Sequence, residues 1–248
     1  MKSARTPAES VALPPVRFLW LQWLRRHPLA AFLVGLVLTF ASAPLDEQFR
    51  DGDLVEALRL TVVLLAGLLA LSDRRGTLIW GIALVTPAMV GKWVNHWLPD
   101  LVPDWTFLAP ALLFCVFVVL RLLRFILRAP RVDSEVLCAG VAGYLMLGLL
   151  WSLLYILTAR LVPDSFAFTV SPVGSQSMKG FTALYYSLIT LTTVGYGDIV
   201  PLSGTARMLA MMEAMAGTFY VAVLISRLVA IYSSTQPPAE EPSDSPKP

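Results

Sequence analysis

The stretch Thr190–Pro201, TLTTVGYGDIVP, places polar and flexible residues inside a strongly apolar part of the chain. Glycine reaches positive φ without steric cost, so Gly195 and Gly197, at alternate positions, allow successive carbonyl groups to point to one side. A row of carbonyl oxygens is a set of hard ligands suited to a dehydrated cation. The Thr193 hydroxyl adds one more oxygen at the base of the row. Tyr196 is expected to point outward and brace it.

One chain supplies one row of oxygens, and a cage needs several rows, so the pattern predicts an oligomer around an axis. The preceding segment Gly180–Thr193, GFTALYYSLITLTT, predicts a helix too short to cross a bilayer. It must therefore enter the membrane and return on the same side. Irregular backbone at membrane depth is tolerated only where it is buried in protein or lines water. The C-terminal end of this helix carries about half a negative charge and would favour a cation at the axis.

The segment Thr192–Asp198, TTVGYGD, resembles the selectivity-filter signature of tetrameric pore-loop potassium channels. The resemblance extends over Val136–Tyr232, as an outer helix, a pore helix, the filter, and an inner helix with Gly217 at mid-span. It implies that the filter residues bind K⁺, mainly through backbone carbonyls: Thr193, Val194, Gly195, Tyr196 and Gly197. It implies that four further residues support the filter: Thr192, Asp198, Tyr185 and Tyr186. Some relatives carry a pore-helix carboxylate that partners the filter aspartate, and this chain has Ile189 there.

Two residues of the inner helix are gating candidates. Gly217 is either a hinge, as in relatives, or a site of close helix packing. Glu213 is a carboxylate in an apolar helix, where such groups are expensive and functional by default. The alignment on the filter suggests that four residues of this helix face the pore cavity: Thr218, Val221, Ala222 and Ile225. Glu213 then points about 140° away from Thr218 at 100° per residue. It would then bond Tyr144, Ser187 or Thr190, a structural role favoured over attracting cations in the cavity.

Four arginines follow the fourth apolar segment at intervals of three, four and three: Arg121, Arg124, Arg128 and Arg131. This spacing fits a voltage sensor, since one charge crossing the field is worth about 2.3 kcal/mol per 100 mV. It also fits a basic amphipathic connector on the cytoplasmic side. The connector is favoured because the arginines follow the apolar run, their spacing breaks at Leu127, and the third span has no acidic countercharge.

Composition identifies the solvent in which these residues lie. The chain has 248 residues, 56% hydrophobic and 15% charged, whereas a soluble domain has about 25% charged residues. This indicates an integral membrane protein, and we predict an all-α fold with six transmembrane helices. The expected spans are Pro28–Leu45, Leu54–Leu71, Leu78–Val94, Trp105–Leu120, Val136–Leu161 and Leu202–Tyr232.

Loop charges orient these spans. Alternate connections are rich in lysine and arginine, and the others are more acidic. The positive-inside rule therefore puts both termini on the cytoplasmic side of the membrane, which is expected to be a plasma or inner membrane. The domains are then a cytoplasmic segment 1–27, a four-helix bundle with a basic connector 28–131, a pore domain 132–232 and a disordered tail 233–248.

The sequence therefore predicts a potassium-selective channel subunit that works as a homotetramer in the lipid bilayer. The alternatives are a weakly selective cation channel and a non-conducting channel-like subunit. Two histidines and two cysteines without metal-ligand spacing give no basis for an enzyme or a metal centre. We expect no cofactor beyond K⁺ as the permeant ion, and no nucleic-acid partner.

Overall fold

The computed structural model describes residues 27–44, 52–70, 75–97, 105–169 and 177–235. Seven helices and two strands account for most of them: α1 Pro28–Ser42, α2 Gly52–Ala70, α3 Arg75–Trp97, α4 Trp105–Arg128, α5 Ser134–Leu161, β1 Phe166–Phe168, α6 Gly180–Leu191, β2 Ile199–Pro201 and α7 Gly204–Thr235. These apolar helices confirm a helical, multi-pass membrane protein. The predicted N-terminal segment up to residue 26 and the predicted tail from residue 236 lie outside the described residues.

Four of the described helices are long and apolar enough to cross a bilayer: Gly76–Asn95, Phe107–Arg128, Ser134–Leu161 and Gly204–Ile231. Helix α1 has 15 residues, which at 1.5 Å per residue fall short of the roughly 30 Å hydrocarbon core. Helix α2 has 19 residues, and its side chains are described without a gap only over Ala57–Leu68. The predicted six-span layout is therefore not confirmed at its first two spans.

Helix α5 joins the N-terminal helices to the rest of the chain. Successive helices from α1 to α5 pack against one another, and α1 also packs against α5. At the beginning of α5, Glu135 accepts a hydrogen bond from the Leu29 amide at 3.1 Å and lies 3.1 Å from His27 Nδ1. Asp133 caps the same helix by accepting from the Val136 amide at 2.9 Å. The start of α1 is thereby tied to the start of α5.

Helix α4 is longer than the sequence predicted. The fourth span was expected to end at Leu120, with the arginines beyond it, but α4 continues without a break to Arg128. Leucine, isoleucine and phenylalanine alternate with the arginines, and Leu122 and Ile126 are buried, so one apolar face continues to the helix end. The basic segment is therefore the last two turns of α4.

The predicted all-α class agrees with this mostly helical fold, in which the described residues also form one small sheet. Strands β1 and β2 pair antiparallel, with Phe166 opposite Pro201 and Phe168 opposite Ile199. β1 follows α5, and β2 follows the predicted filter segment. This small sheet connects the outer helix to the far end of the filter.

The end of α4 also contacts α7. The Arg227 guanidinium of α7 donates to the Ala129 carbonyl, just beyond α4, at 3.0 Å. Arg227 is half-buried, and its Nε has no hydrogen-bond partner within the described residues. A cation at the carbonyl end of a helix is favourable because it complements the helix dipole.

We expect Arg227→Gln to lower the free energy of unfolding by about 1.5–3 kcal/mol, the typical value of a hydrogen bond to a charged group. Thermal unfolding of the purified protein in detergent measures this. Arg207→Gln is the matched control, because Arg207 is also on α7 and donates to a backbone carbonyl, Pro201 O, at 3.2 Å, but is exposed. Equal effects of the two substitutions would contradict the assigned role of Arg227.

Candidate functional site

The predicted pore helix is α6, Gly180–Leu191, and it lies between α5 and α7. Its buried residues are Ala183, Leu184, Tyr186, Ser187, Ile189 and Leu191. The helix ends two residues before the predicted Thr193. The Thr192 amide donates to the Leu188 carbonyl at 3.0 Å and its hydroxyl donates to the same oxygen at 2.7 Å. Thr192 therefore closes the last turn of α6 and forms the base of the filter segment.

The filter segment alternates in backbone conformation. Thr193, Gly195 and Gly197 have φ values of 60°, 52° and 79°, whereas Val194 and Tyr196 between them do not have positive φ. Alternation of this kind allows successive peptide groups to turn the same way, unlike a β-strand, in which they alternate. The sequence identified the two glycines for this role. It missed the left-handed conformation of Thr193, which is uncommon for a non-glycine residue.

Backbone hydrogen bonds hold this conformation to the end of α6. The amides of Val194 and Gly195 both donate to the Ile189 carbonyl, at 2.9 and 3.1 Å, and the Thr193 amide donates to the Thr190 carbonyl at 2.9 Å. The amide groups at the base of the filter are thus occupied by the helix. Residues 192–197 are all exposed in the single chain, Val194 at 53% and Tyr196 at 73%, so this segment borders open space.

The far end of the filter is held at Asp198. Tyr185 Oη donates to its carboxylate at 2.7 Å, as the predicted pore-helix contact requires. The Thr169 amide donates to the Asp198 carbonyl at 2.8 Å, and the Thr169 hydroxyl lies 3.1 Å from the Gly197 carbonyl oxygen. Sequence analysis missed Thr169, because nothing in the sequence pairs β1 with a segment about 30 residues later.

The predicted aromatic pair is divided between two environments. Tyr185 contacts Asp198, but Tyr186 is buried at 3% exposure. Its ring lies edge-on to Tyr155, with centroids 4.8 Å apart, and to Phe166, 5.5 Å apart. Adjacent helix positions are separated by 100°, so the two side chains face different ways. Within one chain Tyr186 packs α6 against α5 and β1, and its predicted support of the filter stays a prediction.

Gly217 of α7 lies against the C-terminal end of α6. A Cβ atom at this position would overlap the Leu191 carbonyl oxygen and lie 2.9 Å from Leu191 Cδ1. The same carbonyl accepts a hydrogen bond from Tyr144 of α5 at 3.2 Å. Of the two interpretations of Gly217, the geometry therefore favours close helix packing.

Glu213 is fully buried between α5, α6 and α7, at 0% exposure. It lies 2.5 Å from Ser187 Oγ and accepts from Tyr155 Oη. The predicted direction away from the cavity and the predicted contact with Ser187 agree with this geometry. Tyr144 instead bonds Leu191, and the sequence did not identify Tyr155. The residues expected at the cavity, Thr218, Val221, Ala222 and Ile225, are exposed in the single chain.

The arginines occupy the end of α4 and the turn after it. Arg121 is half-buried, and the others, Arg124, Arg128 and Arg131, are exposed. Among the residues that the structure describes, no carboxylate forms an ion pair with any of these four. The structure thus brings the filter, Tyr185, Glu213 and Gly217 around α6 and leaves the arginines at another part of the fold.

Comparison with known proteins agrees with this arrangement. Residues 136–234 match the family model described as "Ion channel". The chain is 41% identical over 54 residues to two pore potassium channel b of Oryza sativa subsp. japonica, covering 22% of this chain and 16% of that protein. It is 30% identical over 100 residues to the calcium-gated potassium channel TvoK of Thermoplasma volcanium, covering 40% of this chain and 26% of the relative. The chain therefore spans about a quarter or less of the length of these curated relatives.

The packing interpretation of Gly217 makes a prediction with a definite sign. We expect Gly217→Ala to lower the stability by about 1–3 kcal/mol, the usual cost of overpacking. An unobstructed glycine in a helix would instead gain up to about 1 kcal/mol on the same change. Gly204→Ala is the control, because nothing lies within 4 Å of a Cβ placed there. Thermal unfolding measures both, and stabilisation by Gly217→Ala would exclude the packing interpretation.

Proposed function

We propose, from the match of residues 136–234 to the family model described as "Ion channel", that the chain is a potassium-selective channel subunit. K⁺ moves passively down its gradient through a ladder of backbone carbonyls at Thr193, Val194, Gly195 and Tyr196, and Gly197 is the last residue of this filter. The observation that carries the proposal is the alternation of positive φ at residues 193, 195 and 197 in an exposed segment. K⁺ is the permeant ion, and the mechanism needs no cofactor and catalyses no reaction.

The physical basis is replacement of the ion's hydration shell by oxygens. Each carbonyl of the ladder substitutes for a water oxygen, and the Thr193 hydroxyl extends the ladder at its base. The C-terminal end of α6 lies directly before the ladder and carries about half a negative charge, which favours a cation. Neighbouring ions repel one another, so occupancy of several adjacent sites drives ions onward.

A homotetramer follows from the need for several oxygen rows around one axis. Two observations support it. In the most apolar part of α7, 11% of residues are buried, against 56% in α5, so α7 has apolar surface available for other subunits. The filter segment and Thr218, Val221, Ala222 and Ile225 are exposed in one chain, as a shared central pathway requires. Each subunit would contribute one row and one α7.

The membrane layout remains part of the proposal. With six spans, both termini lie on the cytoplasmic side of a plasma or inner membrane. The bundle 28–131 lies beside the pore domain 132–232. The charge alternation of the loops supports this orientation. The short α1 would reach across by local thinning of the bilayer.

The arginines of α4 are proposed as a basic cytoplasmic connector. Three of the four are exposed, and the four lie together at one helix end, as the positive-inside rule favours. A voltage sensor would need a path for these charges across the field. The electrical recording below distinguishes the two.

We expect a current through the purified protein in planar bilayers with K⁺ on one side and Na⁺ on the other. This current should reverse near the potassium equilibrium potential. The carbonyl ladder is the reason, because it replaces the K⁺ hydration shell. A reversal near zero would indicate the weakly selective alternative, and absence of current would indicate the non-conducting one. Opening that changes little with voltage is expected for a connector, and steep voltage dependence would favour the sensor.

Tyr185→Phe tests the support of the filter mouth. The substitution removes the hydroxyl that donates to Asp198, and we expect the K⁺/Na⁺ permeability ratio to fall several-fold. Tyr186→Phe is the matched control, because that ring packs between α5 and β1, and it should leave the ratio unchanged. If both variants kept the wild-type ratio, the hydrogen bond to Asp198 would have no role in selectivity.

A further inference from the structure

Three linked oxygen–oxygen contacts are buried at Glu213 and Ser187, two of them at Glu213. Tyr155 Oη contacts Glu213 Oε2, Ser187 Oγ lies 2.5 Å from Glu213 Oε1, and Ser187 Oγ also lies 2.7 Å from the Gly148 carbonyl oxygen. The first and third contacts reach α5, the second lies between α6 and α7. The cluster therefore joins the outer helix, the pore helix and the inner helix at one point.

Counting hydrogens determines the state of Glu213. Each of the three contacts needs one hydrogen between its oxygens. The Tyr155 hydroxyl supplies one and the Ser187 hydroxyl supplies one, while the Gly148 carbonyl has none to give. If Glu213 were ionised, it could only accept, and one pair of oxygens would face each other without a hydrogen. The third hydrogen must therefore be on Glu213.

We propose that Glu213 is a neutral carboxylic acid that relays a hydrogen-bond chain across three helices and thereby positions the pore helix. In this chain Tyr155 donates to Oε2, Oε1–H donates to Ser187 Oγ, and the Ser187 hydroxyl donates to the Gly148 carbonyl. Every oxygen contact then contains one hydrogen, and no group in the cluster carries a charge.

The surroundings of Glu213 agree with a neutral acid. Its hydrogen-bond partners among the described residues are two hydroxyls, neither of which is a cation. The titratable side chains that interact with it are Tyr144 and Tyr155 from α5 and Tyr186 from α6. A buried carboxylate without a positive partner is expensive, and such groups neutralise instead.

The helices pack closely around this hydrogen-bond chain. At Gly148, an added Cβ would lie 2.8 Å from Leu188 Cδ2 of the pore helix, so α5 and α6 approach closely beside Ser187. Ser187 lies one turn before Leu191, the last residue of α6 before the filter segment. Contacts from both α5 and α7 hold Ser187 in place. They therefore also hold the last turn of α6 and the direction of its carbonyl groups.

Glu213→Gln tests the protonation state directly, because the amide reproduces the neutral acid: its NH₂ donates to Ser187 and its oxygen accepts from Tyr155. We expect full-length Glu213→Gln in lipid nanodiscs to assemble and to keep the wild-type Tm. The infrared difference spectrum, wild type minus Glu213→Gln at neutral pH, should contain the carbonyl band of one protonated carboxylic acid per chain. These readouts do not require ion conduction, so they remain interpretable even if the channel proposal fails.

The opposite results overturn the inference. Carboxylate bands in that difference spectrum would mean that Glu213 is ionised, and failure of Glu213→Gln to assemble would mean that an amide cannot replace the group.

Glu213→Ala and Tyr155→Phe should each lower the Tm and the K⁺/Na⁺ permeability ratio, with the ratio restored in Glu213→Gln. Tyr220→Phe is the control for Tyr155→Phe: it removes a buried α7-to-α5 hydrogen bond, to Gly140 at 2.8 Å, outside the cluster. An equal loss of permeability ratio in Tyr220→Phe would assign the effect to general helix packing and contradict the positioning role.

Discussion

A backbone that leaves its helix inside a bilayer has no water with which to satisfy its amide groups, and the pore domain is built around this constraint. The chain meets it by folding the first residues of the filter back onto the helix. One carbonyl, that of Ile189, accepts from both Val194 and Gly195, and Thr190 accepts from Thr193. These amides thereby donate their hydrogen bonds to carbonyls of α6. The carbonyls of the same residues are the ligands that we propose for K⁺.

The two ends of the filter are held by different parts of the chain. At the base, the Leu191 carbonyl accepts from Tyr144 of α5 and lies against Gly217 of α7. At the mouth, Thr169 bonds the backbone of Asp198, and β1 pairs with β2 directly after it. The helices α1 to α4 reach this assembly mainly through α5. Within one chain, the main contacts through which a displacement of the N-terminal helices reaches the filter are those of α5, and Arg227 links the end of α4 to α7.

The sequence predicted what short-range chemistry determines and missed what depends on distant pairing. The α6 helix and the alternate glycines were predictable, because glycine is the residue that adopts positive φ freely. Thr193 was not, since its left-handed φ is imposed by the hydrogen bonds around it. The three-residue strands were missed because β1 and β2 are about 30 residues apart and too short to form an alternating pattern. The continuation of α4 was missed because its arginines were taken as the end of the apolar span, although the buried leucine and isoleucine between them keep the helical period.

The position of the carboxylates distinguishes this pore helix from the pattern that the resemblance suggested. Ile189 occupies the place of a carboxylate partner for Asp198, and Tyr185 bonds Asp198 instead at 2.7 Å. A carboxyl group is present behind the helix, at Glu213, where it contacts Ser187. Residues 185 and 187 are two positions apart, or about 200° around the helix, so these bonds hold α6 from nearly opposite sides. Two opposed bonds resist rotation of the helix about its axis, and that rotation is what would turn the Ile189 and Leu191 carbonyls away from the filter.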